Sequence, residues 1–223
     1  GLSIDLPNSA NAVVENNLIT HNELHCRASL GAGIYVVYWE PGGKITDLIP
    51  TPVIRNNVIA HNYSQDRGAG IGIWTVEDRH SPLTTINPQP AIINNTIVNN
   101  KAKDGSGIFN LDSYPLLMNN ILWNDLSEPD SREIFNDNVS YPDYPELNNG
   151  ELHIFNSDIQ GSLEGLARWE GGNNINQDPG FIDSLFHLSD TSRCVGGGVD
   201  SIEINGVYYL ASQMDYFGNP RPN

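Results

Sequence analysis

One feature constrains this chain more than any other: an asparagine pair that recurs between short apolar runs. It occurs in "PVIRNNVIAHN" from Pro52, in "PAIINNTIVNN" from Pro90 and in "PLLMNNILWND" from Pro115. The pairs are Asn16-Asn17, Asn56-Asn57, Asn94-Asn95 and Asn119-Asn120, with Asn156-Ser157 as a degenerate fifth copy. Two residues before each pair stands an aliphatic residue: Val14, Ile54, Ile92, Leu117, Ile154. Two residues after it stands another: Ile19, Ile59, Ile97, Leu122, Ile159. The position just before the pair varies from Glu15 and Arg55 to Ile93, Met118 and Phe155. A column that accepts both Glu and Arg faces solvent, and a column that is always aliphatic faces a core. The alternation predicts two short strands flanking the pair.

Counting by twos inward from either aliphatic column reaches an Asn, so the chain bends at the pair and at least one Asn points inward. Asn tolerates the left-handed backbone that such a corner needs. Inward amides stacked about 4.8 Å apart hydrogen-bond along the stack. Which Asn of each pair forms the rung stays open at this level. A second motif alternates with the first: "GAGI" at Gly31, "GAGI" at Gly68 and "GSGI" at Gly105, with "GLSI" at Gly1 and "REIF" at Arg132 as weaker versions. Each repeat therefore predicts three short strands and has no room for a crossover helix. That is one coil of an all-β parallel β-helix, about five coils in all. The expected layout is one domain, with repeat coils over 1–172 and its remaining segment over 173–223.

The chain has 223 residues and a formal net charge of −16. That charge disfavours nucleic acid, whose binders need a basic face, and polyanionic sugars; it suits neutral partners or calcium. No apolar run approaches the roughly 20 residues of a membrane helix, so no membrane insertion is expected. The chain begins at Gly1, without an initiator Met or a signal peptide, and a processed or truncated protein is the expectation. If "GLSI" is a first coil, it leaves a raw strand edge, which predicts upstream coils or end-on self-association. Cys26 and Cys194 allow one long-range disulfide or two separate thiols.

The pattern "GAGI…P.I.NN.I..N" resembles the right-handed parallel β-helix repeat of pectate-lyase-like proteins, and that of large secreted bacterial surface proteins. The end of the chain, "NNINQDPGFID" followed by "FHLSDTSRC" and "DYFGNPRP", is similar to the closing segment of the secreted type. Asn174, Asp178, Pro179, Phe181, Phe186, Leu188, Cys194, Gly218, Pro220 and Arg221 carry that similarity. "SRC" stands where that type has Ser-Pro-Cys, "SIEINGVYYLASQ" is an insert, and the usual final strand does not follow Asn223. The resemblance implies right-handed coils, a final coil and C-terminal cap over 173–223, and an extracellular or cell-surface location. It leaves activity open, because this scaffold hosts lyases, hydrolases and adhesins.

Interruptions of the repeat locate the candidate site. Successive Asn columns are 40, 38, 25 and 37 residues apart, whereas a bare coil needs on the order of 20–25 residues. The inserts "YWEPGGKITDLIPT", "VEDRHSPLTTINPQ" and "VSYPDYPELNNGE" all fall after the "GxGI" strand, hence on one side of the solenoid. The bare fourth coil predicts a trough floored by Asn110, Asp112, Ser113 and Tyr114. Trp74, Glu77, Asp78, Arg79 and His80 would wall one side, and Tyr141, Asp143, Tyr144 and Glu146 the other. Tyr38, Trp39 and Glu40 lie one coil further out. The alternative is a set of loop aromatics that pin their own loops.

Aromatics with carboxylates suit a polysaccharide or surface glycan: Tyr38, Trp39, Trp74, Tyr114, Tyr141 and Tyr144 for stacking, Asp and Glu for hydroxyls. Glu77, Asp78 and Asp112 are the candidates for glycoside hydrolysis, which needs two carboxyl groups about 5–10 Å apart. In this fold lyase chemistry commonly uses Arg or Lys as base, here Arg79 or Lys44, often with Ca²⁺ on an acidic cluster. His21 and His61 share a column continued by Asn99 and Asn124, either a metal-binding pair or an exposed polar ladder. The expected role is a carbohydrate-binding or contact-mediating extracellular module. The alternatives are a polysaccharide lyase or hydrolase, and a purely structural, self-assembling subunit.

Overall fold

A computed structural model describes residues 1–7, 11–39, 51–76, 88–126, 131–137 and 150–221. Three parallel sheets wrap one core, as the repeat requires. The first stacks Leu2–Pro7, Ile34–Trp39, Ile71–Val76, Ile108–Leu111 and Ile134–Asp137. The second stacks Val13–Glu15, Val53–Arg55, Ala91–Ile93, Leu116–Met118, Leu152–Phe155 and Trp169–Gly172. The third stacks Leu18–Thr20, Val58–Ala60, Thr96–Val98, Ile121–Trp123 and Asp158–Ile159. The protein is a parallel β-helix: the chain visits the sheets in turn, and each strand pairs with its counterpart in the next coil.

Both aliphatic columns face inward. Ile54, Ile92, Leu117 and Ile154 meet Ile59, Ile97, Leu122 and Ile159 in one continuous core, joined by Ile34, Ile71 and Ile108 from the first sheet. The glycines of "GxGI" have distinct jobs. Gly31, Gly68 and Gly105 adopt positive φ, which a side chain resists. The second glycine lets the coils approach: a Cβ on Gly33 would lie 2.5 Å from the Gly70 carbonyl oxygen. The weaker "GLSI" is in a different register from the one its letters suggest. Leu2 pairs with Ile34 and Ile4 with Val36, so Gly1 stands at the level of Gly33.

The structure assigns the two asparagines of each pair. The first, at 16, 56, 94, 119 and 156, takes the left-handed backbone with φ of 48–59° and turns its side chain away from the core. The second is the rung. The backbone N–H and Nδ2 of Asn17 both donate to Asn57 Oδ1 at 3.0 Å, Asn57 does the same to Asn95, and Asn95 to Asn120. Ser157 Oγ and then Asn174 Oδ1 continue the series. Asn57, Asn95, Asn120 and Asn174 also donate to a main-chain carbonyl of the preceding coil, as Asn95 Nδ2 does to Ile54 O. Asn57, Asn95 and Asn120 are fully buried amides whose donors are committed.

A second inner ladder lies one strand further on. Asn22, Asn62, Asn100 and Asn124 repeat the same double donation. This corrects the expected His21-His61-Asn99-Asn124 column. The turn of the fourth coil is one residue shorter, so Asn124 stands under Asn100 as a rung, while His21, His61 and Asn99 occupy left-handed outer positions. The ladder ends on Glu133, which takes both the backbone N–H and Nδ2 of Asn124 at 2.6 Å. Glu133 is buried, and burial pushes its carboxyl up to about 8 against the downward pull of the two Asn124 bonds.

The C-terminal end of the core is covered by Leu163, Leu166 and Trp169. Within the 173–223 segment read as final coil and cap, residues 177–221 run back along the flank as an arm. Val199, Ile202, Ile204, Tyr209 and Ala211 pack on the outer face of the second sheet. Phe181, Phe186 and Tyr216 pack on the third. Between these seams the arm reads the outer Asn column toward the N-terminus. Gly197 O accepts from Asn156, Val199 exchanges two bonds with Asn119, Ser212 N–H donates to Asn94, and Arg221 donates to Asn56. The arm contains an antiparallel hairpin, Ser201–Ile204 with Val207–Leu210. Cys26 and Cys194 are free thiols.

Two predictions test this frame. Asn57→Leu deprives the donors of Asn17 of their acceptor, and should lower stability by roughly 1–3 kcal/mol in urea denaturation; an unchanged midpoint would contradict the ladder. Glu133 has a folded pKa above its ordinary value of 4.5. Below about 4.5 both states are protonated and nothing is lost. As pH rises from there to about 8 the unfolded chain ionises first, and stability falls by up to ~1.4 kcal/mol per pH unit. Glu133→Gln should flatten that part of the stability–pH profile relative to the parent protein.

Candidate functional site: the outer face of the first sheet

Alternation in the first sheet sends every other side chain outward. Val37, Trp74, Leu111 and Asp137 stand in register on successive strands, and Tyr35, Gly72, Phe109 and Phe135 form the neighbouring column. Trp74 is 39% exposed, a large ring held on a rigid strand. Phe109 and Phe135 stack at 5.8 Å, and the Arg67 guanidinium lies 5.1 Å over the Phe109 ring. Arg67 also reaches Asp137 at 3.6 Å and Asp66 at 3.8 Å. Asp104 lies in the same electrostatic neighbourhood. Burial raises its pKa, opposed by Lys103 and Arg67 and reinforced by Asp66 and Asp137. Trp74 and Asp137 are two rungs apart, about 10 Å along the stack. Phe109 is fully buried beneath this layer, so the face presents the exposed Trp74 ring beside a carboxylate–guanidinium cluster.

Three strands of this sheet, ending at Trp39, Val76 and Asp137, run into the inserts that were expected to frame a trough. Of the sequence-derived site residues, Glu77, Asp78, Arg79, His80, Tyr141, Asp143, Tyr144 and Glu146 lie outside the described residues, as do Glu40 and Lys44. Trp39 is described only as the last residue of its strand. Trp74 is exposed as expected. Tyr38 is not a surface residue: only 1% exposed, it points into the core between Leu6 and Thr75, and burial raises its hydroxyl pKa. The expected floor is also closed. Asn110 and Ser113 are buried, Asp112 is 3% exposed in a left-handed turn, and Tyr114 is half-buried. Asn110 donates to Ser113 O and Asn136 Oδ1, and the Ser113 hydroxyl meets that of Thr75, so this corner is internal scaffolding.

Sequence reasoning missed Arg67, Asp104 and Asp137. The signal was present: the residue before each "GxGI" is Leu30, Arg67 and Asp104, and these stack in register from coil to coil. Aligning on the glycines instead of the asparagines places Arg67 against Asp104. The His21 and His61 rings stack at 5.2 Å, and His61 is held below its ordinary pKa by burial and then by His21. Among the described residues no group of three His, Cys, Asp or Glu converges as a metal site.

Compared with protein-family models, curated proteins and solved structures, the chain matches none of them.

Proposed function

We infer that this chain is a secreted or surface-attached β-helix module that binds neutral carbohydrate across the outer face of its first sheet. The observation that carries this reading is Trp74, exposed on a rigid strand and in register with Leu111 and the Asp137–Arg67 pair. A flat ring with a free face covers the apolar C–H side of a pyranose, and carboxylate and guanidinium groups nearby take its hydroxyls. Stacked strands fix these groups at regular spacing, so little ordering cost is left for binding. The net charge of −16 selects against polyanionic sugars and toward neutral ones.

A second reading, glycoside hydrolysis, is favoured by Asp104. Its carboxyl is raised above the ordinary range by burial and lies in the fields of Asp66 and Asp137. Two carboxyls whose environments separate their pKa values are what acid-assisted cleavage requires.

A glycan array separates these readings. Trp74→Ala, on an exposed position, should leave the melting midpoint unchanged and weaken neutral-glycan binding about tenfold, or ~1.4 kcal/mol. Retention of full affinity would defeat the platform. If the face is catalytic, the parent protein releases new reducing ends from a bound glycan and Asp104→Asn does not, while binding survives.

A further inference from the structure

The arm and the asparagine corner enclose a cleft of about 1150 Å³, away from the first sheet. Its floor is the outer Asn column, Asn56, Asn94, Asn119 and Asn156, and its walls are the two limbs of the arm. Three rung steps separate Asn56 from Asn156, so the cleft is about 14 Å long. Its volume exceeds the roughly 300–1,000 Å³ of single small-ligand pockets. Its shape fits a short length of polymer.

The chemistry of the lining narrows the class. Among the described residues, Asn94 Nδ2 and Asn156 Oδ1 have no protein partner, so the floor offers both a donor and an acceptor. Apolar side chains stand exposed along the lining: Leu185, Val195, Met214 and Phe217. Phe217 is 40% exposed and pre-set: His187 stacks on it at 3.9 Å, Tyr216 meets it edge-on at 5.1 Å, and Asp183 fixes His187 at 2.6 Å. Hydrogen-bonding amides below and an immobilised ring above match a ligand with hydroxyl edges and apolar faces. Charge is mixed, with Arg193 and Arg221 against Asp158, Asp200 and Asp215, so no single-sign field selects a polyion.

An extended peptide would need a strand edge to pair with. Among the described residues none is free on the floor of the cleft: the N–H groups of Asn56, Asn94 and Asn119 donate to Ile93, Met118 and Phe155 carbonyls, and those of Asn57 and Asn95 donate along the inner ladder. We propose that the cleft between the arm and the outer asparagine column is a binding site for an extended, neutral oligosaccharide segment, separate from the Trp74 face.

The test is ¹H–¹⁵N NMR of the full chain, titrated with β-1,4-linked hexamers of glucose, mannose and xylose, and with an alternating Ser-Val hexapeptide. At least one sugar hexamer should shift the side-chain amides of Asn94 and Asn156 and the backbone around Phe217. Phe217→Ala should weaken that binding about tenfold. Val195→Trp, which fills the cleft from an exposed position, should abolish it without unfolding. Trp74→Ala should leave the cleft shifts intact whatever it does to the first sheet, so the two sites succeed or fail separately. The proposal is overturned if no sugar hexamer shifts these amides at millimolar concentration, if Val195→Trp binds as well as the parent, or if the peptide is the preferred occupant.

Discussion

Everything in this molecule follows from stacking near-identical coils about 4.8 Å apart. At that spacing the nearest neighbour of a side chain is its own counterpart one coil away. A residue type survives in a column only if it tolerates itself as a neighbour. Isoleucine does so by packing, glycine by leaving room for the carbonyl above it, and asparagine by being donor and acceptor at once. The amide ladders are also directional. Each Oδ1 accepts from the coil before it, so each ladder presents donors toward the C-terminal end. A chain of donors needs a terminal acceptor. Glu133 takes both donors of Asn124 at the end of the ladder, and burial there raises its pKa.

How much of this could be read from the letters follows from the same rule. The parallel β-helix was legible because Asn and Ile recur in columns, and self-complementary columns have few other folds open to them. The rung was not legible, because both asparagines of a pair recur and only the backbone angle separates them: Asn56 is left-handed and Asn57 is not. Asn124 was misplaced by a single residue missing from one turn. Tyr38 was read as insert because it precedes one, yet strand alternation still governs it and turns it inward.

The site was harder to read for a different reason. Arg67, Asp104 and Asp137 come from different coils and belong to no motif of consecutive residues. They meet because register brings them together. Trp74 was named as part of a trough wall beside an insert; its exposure comes from its outward place between the buried Ile73 and Thr75. The corner cleft had no signal, because its walls are an arm whose path depends on contacts 41 to 165 residues away in sequence.

That path has an evolutionary consequence. Solenoids commonly lengthen by duplicating a coil, since each coil needs only its neighbours. Here the arm touches the outer asparagines in sequence, from Asn156 to Asn56, at points fixed by its own contour. A duplicated coil between those residues would move every contact beyond it by one rung, about 4.8 Å, while the arm kept its length. The arm therefore acts as a gauge. It ties the number of coils to a separate stretch of sequence, and change in this solenoid should be confined to loops or to the coils that the gauge does not span.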